Sequence, residues 1–268
     1  MPVMIFSQLA GLITLLLVLP PLPTATATGS DFTWGAMAGG ALGIGLMLLY
    51  QGLATGKMSV VAPVTAVLAV VISAVAGMVI GDRLSWGASA GVALAVAAIT
   101  LISQDGAHEE STEERGWDAA HGLPVALLAG VLIGVFFITL KQTNPASGLL
   151  PLVATRLASL VVLGLIGIVR RSSLRVGRDT VWLIIVGGAL DIFANMLYVL
   201  AARQGMLTIT ATLTSLYPAS TILLARLVLG ERLRRIQIAG LACAVVGIVF
   251  IGAGCARVER FDQVTSPW

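Results

Sequence analysis

Asp191 and Arg156 stand well inside long apolar runs, whereas the other Lys, Arg, Asp and Glu side chains fall in connecting segments or at run ends. An ionised group at the middle of a membrane span costs ~2.5–3.5 kcal/mol on insertion scales, so its presence points to a function. Asn195 and Tyr198 follow Asp191 at i+4 and i+7, which puts all three on one helical face, with Gly187 a turn earlier. Arg156 lies roughly 10 Å into its own span, and Asp191 ~15 Å from the same membrane face on the next, antiparallel one. Their side chains are therefore within reach of each other. A carboxylate beside a guanidinium suits the two ends of a zwitterion, which makes an amino-acid-like metabolite the first substrate expectation. An Asp191 without Arg156 would instead act as a proton carrier or a cation site, with a lipophilic cation or drug as cargo. The reading without cargo is an ion pair that satisfies only itself, or an Arg156 that snorkels to the surface.

A second polar group lies further on: Thr208, Thr210, Thr212, Thr214 and Ser215, followed by Tyr217 and Pro218. Proline inside a membrane helix frees a carbonyl that neighbours or a wet cavity must satisfy, and Pro63 does the same in an earlier span. Thr214 and Tyr217, three residues apart, are candidates to face a cavity. The alternative for each threonine is a hydroxyl bonded to its own helix backbone. His108 and His121 lie in an acidic segment with Glu109 and Glu110, but their spacing fits no standard metal site, so neither a metal nor a cofactor is expected. Cys243 and Cys255 are ~18 Å apart along one helix and cannot pair within it.

The elements that carry these residues are set by composition. Of 268 residues 57% are apolar and 11% charged, against ~25% charged in a soluble domain, and the mean hydropathy is +0.98. This excludes a large soluble domain, a nucleic-acid binder and a secreted disulfide scaffold. The partners expected are a lipid bilayer and a small-molecule substrate, and the net charge of +3 reports membrane orientation. Apolar runs near 3–20, 34–53, 60–80, 86–103, 122–141, 150–170, 180–201, 207–229 and 236–255 predict an all-α, polytopic bundle of about nine transmembrane helices. The first run is not read as a secretory signal, because no basic segment precedes Met4. A membrane enzyme would need paired carboxylates, a histidine cluster or a nucleophile with its base, and the sequence shows none of these, so no enzymatic activity is expected.

The chain repeats itself. GGALGIGLMLLY at 39–50 returns as GGALDIFANMLY at 187–198, with seven of twelve positions identical at an offset of 148. After a one-residue insertion GDRLSWGASAG at 81–91 is mirrored by GERLRRIQIAG at 230–240. The copies open the second and seventh spans, and an odd separation makes them cross the membrane in opposite directions, as in many secondary transporters. Two inverted-topology repeats follow: residues 1–103 with four helices and 122–256 with five, joined by an acidic linker at 104–121 and trailed by a polar tail at 257–268. The leading helix of the first repeat is expected to be missing, through a late start or a shortened chain, and a homodimer or a partner subunit is compatible with that gap. The repeat also supplies an internal control. The stripe Gly35, Gly39, Gly43 of span two is expected to serve close helix packing, with Gly187 as the counterpart of Gly39. Gln8 stands where Arg156 stands, as a neutral donor expected to line the cavity.

The stretch SLYPASTILLARLVLGERLRRIQIAGLACAVVGIVFIG and its weaker echo APVTAVLAVVISAVAGMVIGDRLSWGASAGVALAVAAITLIS resemble the paired domains of the EamA branch of the drug/metabolite transporter superfamily. The specific parts are the Gly-acid-Arg-Leu corner and the SLYP segment. The resemblance implies ten helices in two inverted five-helix halves and passage of small metabolites or drugs through a central cavity.

Orientation follows from Lys and Arg placement. The face with the amino terminus holds Lys57, Arg115, Arg170, Arg171, Arg175, Arg178, Arg226, Arg232, Arg234 and Arg235, and the other holds Arg83, Lys141, Arg203, Arg257 and Arg260. The positive-inside rule then puts the amino terminus in the cytoplasm, with the plasma membrane as the expected location. The ten-helix plan of the resembling family, with both termini inside, implies the opposite.

Overall fold

A computed structural model describes residues 2–19, 26–55, 58–81, 86–103, 118–171, 177–204 and 207–214, with separate helical positions between 236 and 250. The elements are α1 (Pro2–Val18), α2 (Gly29–Thr55), α3 (Met58–Ile80), α4 (Trp86–Ser103), α5 (Asp118–Lys141), α6 (Leu150–Val169), α7 (Arg178–Gln204) and α8 (Leu207–Thr214), with a 3-10 turn at Pro145–Ser147 before α6. Helix α5 starts at Asp118, so the end of the segment expected to be linker is helical, while 104–117 lie outside the described residues. Helix α3 continues through Pro63, and Pro124 lies inside α5.

Gly29–Leu53, Pro124–Lys141, Leu150–Val169 and Thr180–Arg203 are long and apolar enough to cross a membrane, and Pro2–Val18 and Val64–Ile80 are shorter apolar helices. Their exposed sides carry Leu17, Val79, Ile168, Val169 and Trp182. Such a surface is untenable in water and suited to lipid. The chain is an all-α polytopic membrane protein.

Two compact units are formed, one by 1–48 and 132–205 and the other by 49–131 and 206–268. Each draws helices from both sequence repeats.

In the first unit α2 packs on α6 through glycine. A Cβ on Gly35 would strike the Pro151 carbonyl, one on Gly39 the Thr155 carbonyl, and one on Gly43 would come 3.3 Å from Ser159 Cα. Bare backbone here lets α6 approach closely enough for its hydroxyls to reach across. Thr155 Oγ1 donates to the Gly35 carbonyl at 3.0 Å and Ser159 Oγ to the Gly39 carbonyl at 2.6 Å. Helix α7 packs on α1 in the same manner, but its glycine is Gly188, where a Cβ would strike the Ser7 carbonyl. Gly187, expected to take this role, is exposed and faces open space. The reason is rotational. The buried stripe of α7 runs Ile184, Gly188, Ile192, Met196, one residue on from the register of sequence identity, and one residue is ~100° of helix rotation.

At one end of this unit the segment between α5 and α6 is clamped. Asp31 is 2% exposed; its Oδ1 accepts from the Asn144 amide at 2.7 Å, and its Oδ2 from the Thr28 amide at 2.8 Å and the Thr28 hydroxyl at 2.7 Å. Arg203, near the end of α7, donates to the Pro145 carbonyl, Thr143 Oγ1 and Ser147 Oγ. Asn144 Oδ1 accepts from the Ala146 amide and so opens the 3-10 turn.

The second unit is packed with small side chains. Ala66 and Val70 of α3 meet Ala95 and Ala98 of α4, with Val67, Val92, Val96 and Cys243 against them. Thr65 Oγ1 donates to the Ala126 carbonyl of α5 at 3.1 Å.

Candidate functional site

Helix α6 presents Pro151, Leu152, Thr155, Arg156, Ser159, Leu163 and Gly167 to the interior. In this row of apolar, small and hydroxyl side chains the guanidinium of Arg156 is the one large charge, and it is 1% exposed. Room for it comes from Gly11 of α1, where a Cβ would lie 3.4 Å from Arg156 Cζ and 3.0 Å from the Gly188 carbonyl.

Asp191 is the midpoint residue of α7, ~20 Å of helix from either end. Arg156 Nη2 donates to Asp191 Oδ2 at 2.6 Å, and Arg156 Nη1 donates to Gln8 Oε1. The guanidinium is thus held from two sides, by a neutral oxygen of α1 and a charged one of α7. A charge-assisted bond this short is strong, and it fixes both side chains. Asn195, one turn beyond Asp191, donates its Nδ2 to the Asp191 carbonyl at 2.8 Å and lies 3.4 Å from Oδ1.

The burial of the pair is unequal. The Asp191 side chain is 45% exposed against 1% for Arg156. A half-exposed carboxylate at the midpoint of a membrane-length helix is costly against hydrocarbon.

Several expectations for the site change. Tyr198 does not line a cavity: it is 3% exposed, its hydroxyl donates to the Phe137 carbonyl at 2.9 Å, and its ring centroid lies 4.8 Å from that of Phe137. Seven residues fall ~20° short of two turns, and α5 occupies the space on that side. Gln8 is buried and acts as an acceptor towards Arg156, not as a free donor in a cavity. Arg156 does not snorkel. Thr214 is exposed, with its hydroxyl donating to the Thr210 carbonyl of its own helix at 2.8 Å, and it belongs to the second unit. Tyr217 lies outside the described residues, as do Pro218, Ser215 and His108; His121 is helical, with its side chain not described. Among the described residues no cluster of His, Cys, Asp or Glu is arranged to hold a metal.

Gly11 and Gly188 escaped the sequence reading. The signal for Gly11 was present, since it matches Ser159 at the offset of 148 that pairs Gln8 with Arg156.

No curated protein matches the chain in sequence. Among solved structures, one described as the crystal structure of a protein matches with a TM-score of 0.73 at 16% identity, over 96% of this chain and 88% of the other. At that identity the likeness shows the fold alone. The model of the EamA-like transporter family matches residues 120–253, which include α6, Arg156, α7 and Asp191. The chain belongs to the EamA-like transporter family.

Proposed function

We propose that the protein is a secondary transporter that moves a small polar metabolite across the plasma membrane, with Asp191 at the binding site. The carrying observation is the half-open carboxylate at the midpoint of α7, bonded on one side to a buried guanidinium. A pair that served only packing would gain by closing over both charges, because each exposed polar edge in hydrocarbon costs free energy. The two sequence repeats supply the rest of the reading: related halves of opposite topology provide two near-equivalent states, and rocking between them opens one site to each side in turn. The expected division of labour, in which Arg156 takes the carboxylate of a zwitterion, is not favoured, because Arg156 is buried and engaged on both sides. Arg156 positions Asp191. By charge count the amino terminus is cytoplasmic.

The test is an untargeted mass-spectrometric profile of small polar metabolites inside and outside cells that express the protein, set against cells with an empty vector. A change in one or a few metabolites on expression is expected. Identical profiles under conditions where the protein is abundant in the membrane would contradict transport of such a cargo.

A further inference from the structure

We propose that the open side of Asp191 is a cation-accepting subsite that takes an ammonium group of the cargo and disfavours anions; this rests on the transport reading above. Among the described residues, the charge left uncovered in this pair is the carboxylate's. Asp191 Oδ2 is engaged by Arg156, while among the described residues Oδ1 has only the distant Asn195 amide at 3.4 Å. Asn195 turns its Nδ2 towards the Asp191 carbonyl, since only the amide nitrogen donates. The positive charge that would attract an anion is sealed in at 1% exposure. A carboxylate or phosphate would therefore meet a like charge, and an ammonium would find an opposite charge and an acceptor oxygen, Asp191 Oδ1.

The surface beside Asp191 leaves room for such a group. Gly187, Ala194 and Ala201, spaced by seven, form an exposed stripe of small residues next to it. Leu183, Leu190 and Leu197, exposed and also spaced by seven, form the stripe beyond. At Gly187, one turn before Asp191, an added Cβ would meet nothing within 4 Å, so the surface beside the carboxylate is open.

The test is charge-selective thiol labelling in a chain whose Cys243 and Cys255 are replaced by alanine. Ala194→Cys and Gly187→Cys are each treated in membranes with trimethylammonioethyl and with sulfonatoethyl methanethiosulfonate, and rates are divided by those with a free thiol. Leu190→Cys is the lipid-side control. The cationic reagent is expected to react roughly tenfold faster or more, a bias that a fixed charge in a narrow aqueous site produces, and Asp191→Asn should bring the two rates together. Equal rates with Asp191 present would overturn the cation subsite while leaving an aqueous path, and with it transport, standing. No reaction at either position, with both proteins present in the membrane, would overturn the subsite and the aqueous path together.

Discussion

Arg156 donates a hydrogen bond to Gln8, and the two residues occupy the same position in the two sequence repeats, 148 residues apart. Residues related by a two-fold axis meet each other only near that axis, so a two-fold relation of the repeats would run its axis between α1 and α6. Across it the chemistry is unlike. The second repeat contributes the guanidinium and the first an amide oxygen, while Asp191 of α7 has Gly43 as its sequence counterpart. The charged pair thus belongs to the second repeat alone.

Direct coupling is expected between Arg156 and Asp191. Arg156→Asp and Asp191→Arg should each lower thermal stability and transport, and the double reversal should do less damage than the sum. Contacting charged pairs show interaction energies of roughly 0.5–3 kcal/mol in such cycles. The check is a thermal-shift measurement in detergent on all four proteins, and additive losses would mean no direct interaction.

The glycine register gives a second expectation. Gly188→Ala should strongly reduce folded protein, because its Cβ meets the Ser7 carbonyl and, at 2.9 Å, Ala10 Cβ. Gly187→Ala should be tolerated. Size-exclusion profiles and melting temperatures decide between them, and equal behaviour would refute the packing face assigned to α7.

The hydroxyl ladder of α6 should contribute modestly. Thr155→Val and Ser159→Ala each remove one bond to a glycine carbonyl of α2, and interhelical hydrogen bonds in membranes average about 0.6 kcal/mol. Small, similar losses are expected in an unfolding titration, far below that of Gly188→Ala.

The clamp at Asp31 is expected to matter more. Asp31→Ala leaves the Asn144 and Thr28 donors without their acceptor, and hydrogen bonds to a charged group contribute roughly 1.5–3 kcal/mol. Limited proteolysis between α5 and α6 should become faster in this variant. An unchanged cleavage rate would show that the segment is held by other means.

What the sequence disclosed and what it hid divide along physical lines. Depth in an apolar run identifies Asp191 and Arg156 without a structure, because the energetic penalty depends on position along the chain. The helical fold and the glycine face of α2 follow from run length and small-residue spacing in the same way. Tyr198 and Gly187 were misplaced because a helix face has no fixed neighbour in sequence: α5 covers Tyr198, and α1 meets α7 one residue away from the register of sequence identity. Asp31 stands at the edge of an apolar run, and nothing local reveals that the segment 142–148 folds over it.

A reporter active only in the cytoplasm, fused after Trp268, tests orientation. With nine spans and a cytoplasmic amino terminus it should be silent. Activity there would show that the Lys and Arg count misassigned the faces.

The most direct measurement for the central claim is flux of the identified metabolite in proteoliposomes containing either the native protein or Asp191→Asn, at equal protein content and across a pH series. The expected result is flux for the native protein and none above empty vesicles for the variant, with both eluting as folded protein. Native flux by Asp191→Asn at every pH would contradict the role of the half-open carboxylate.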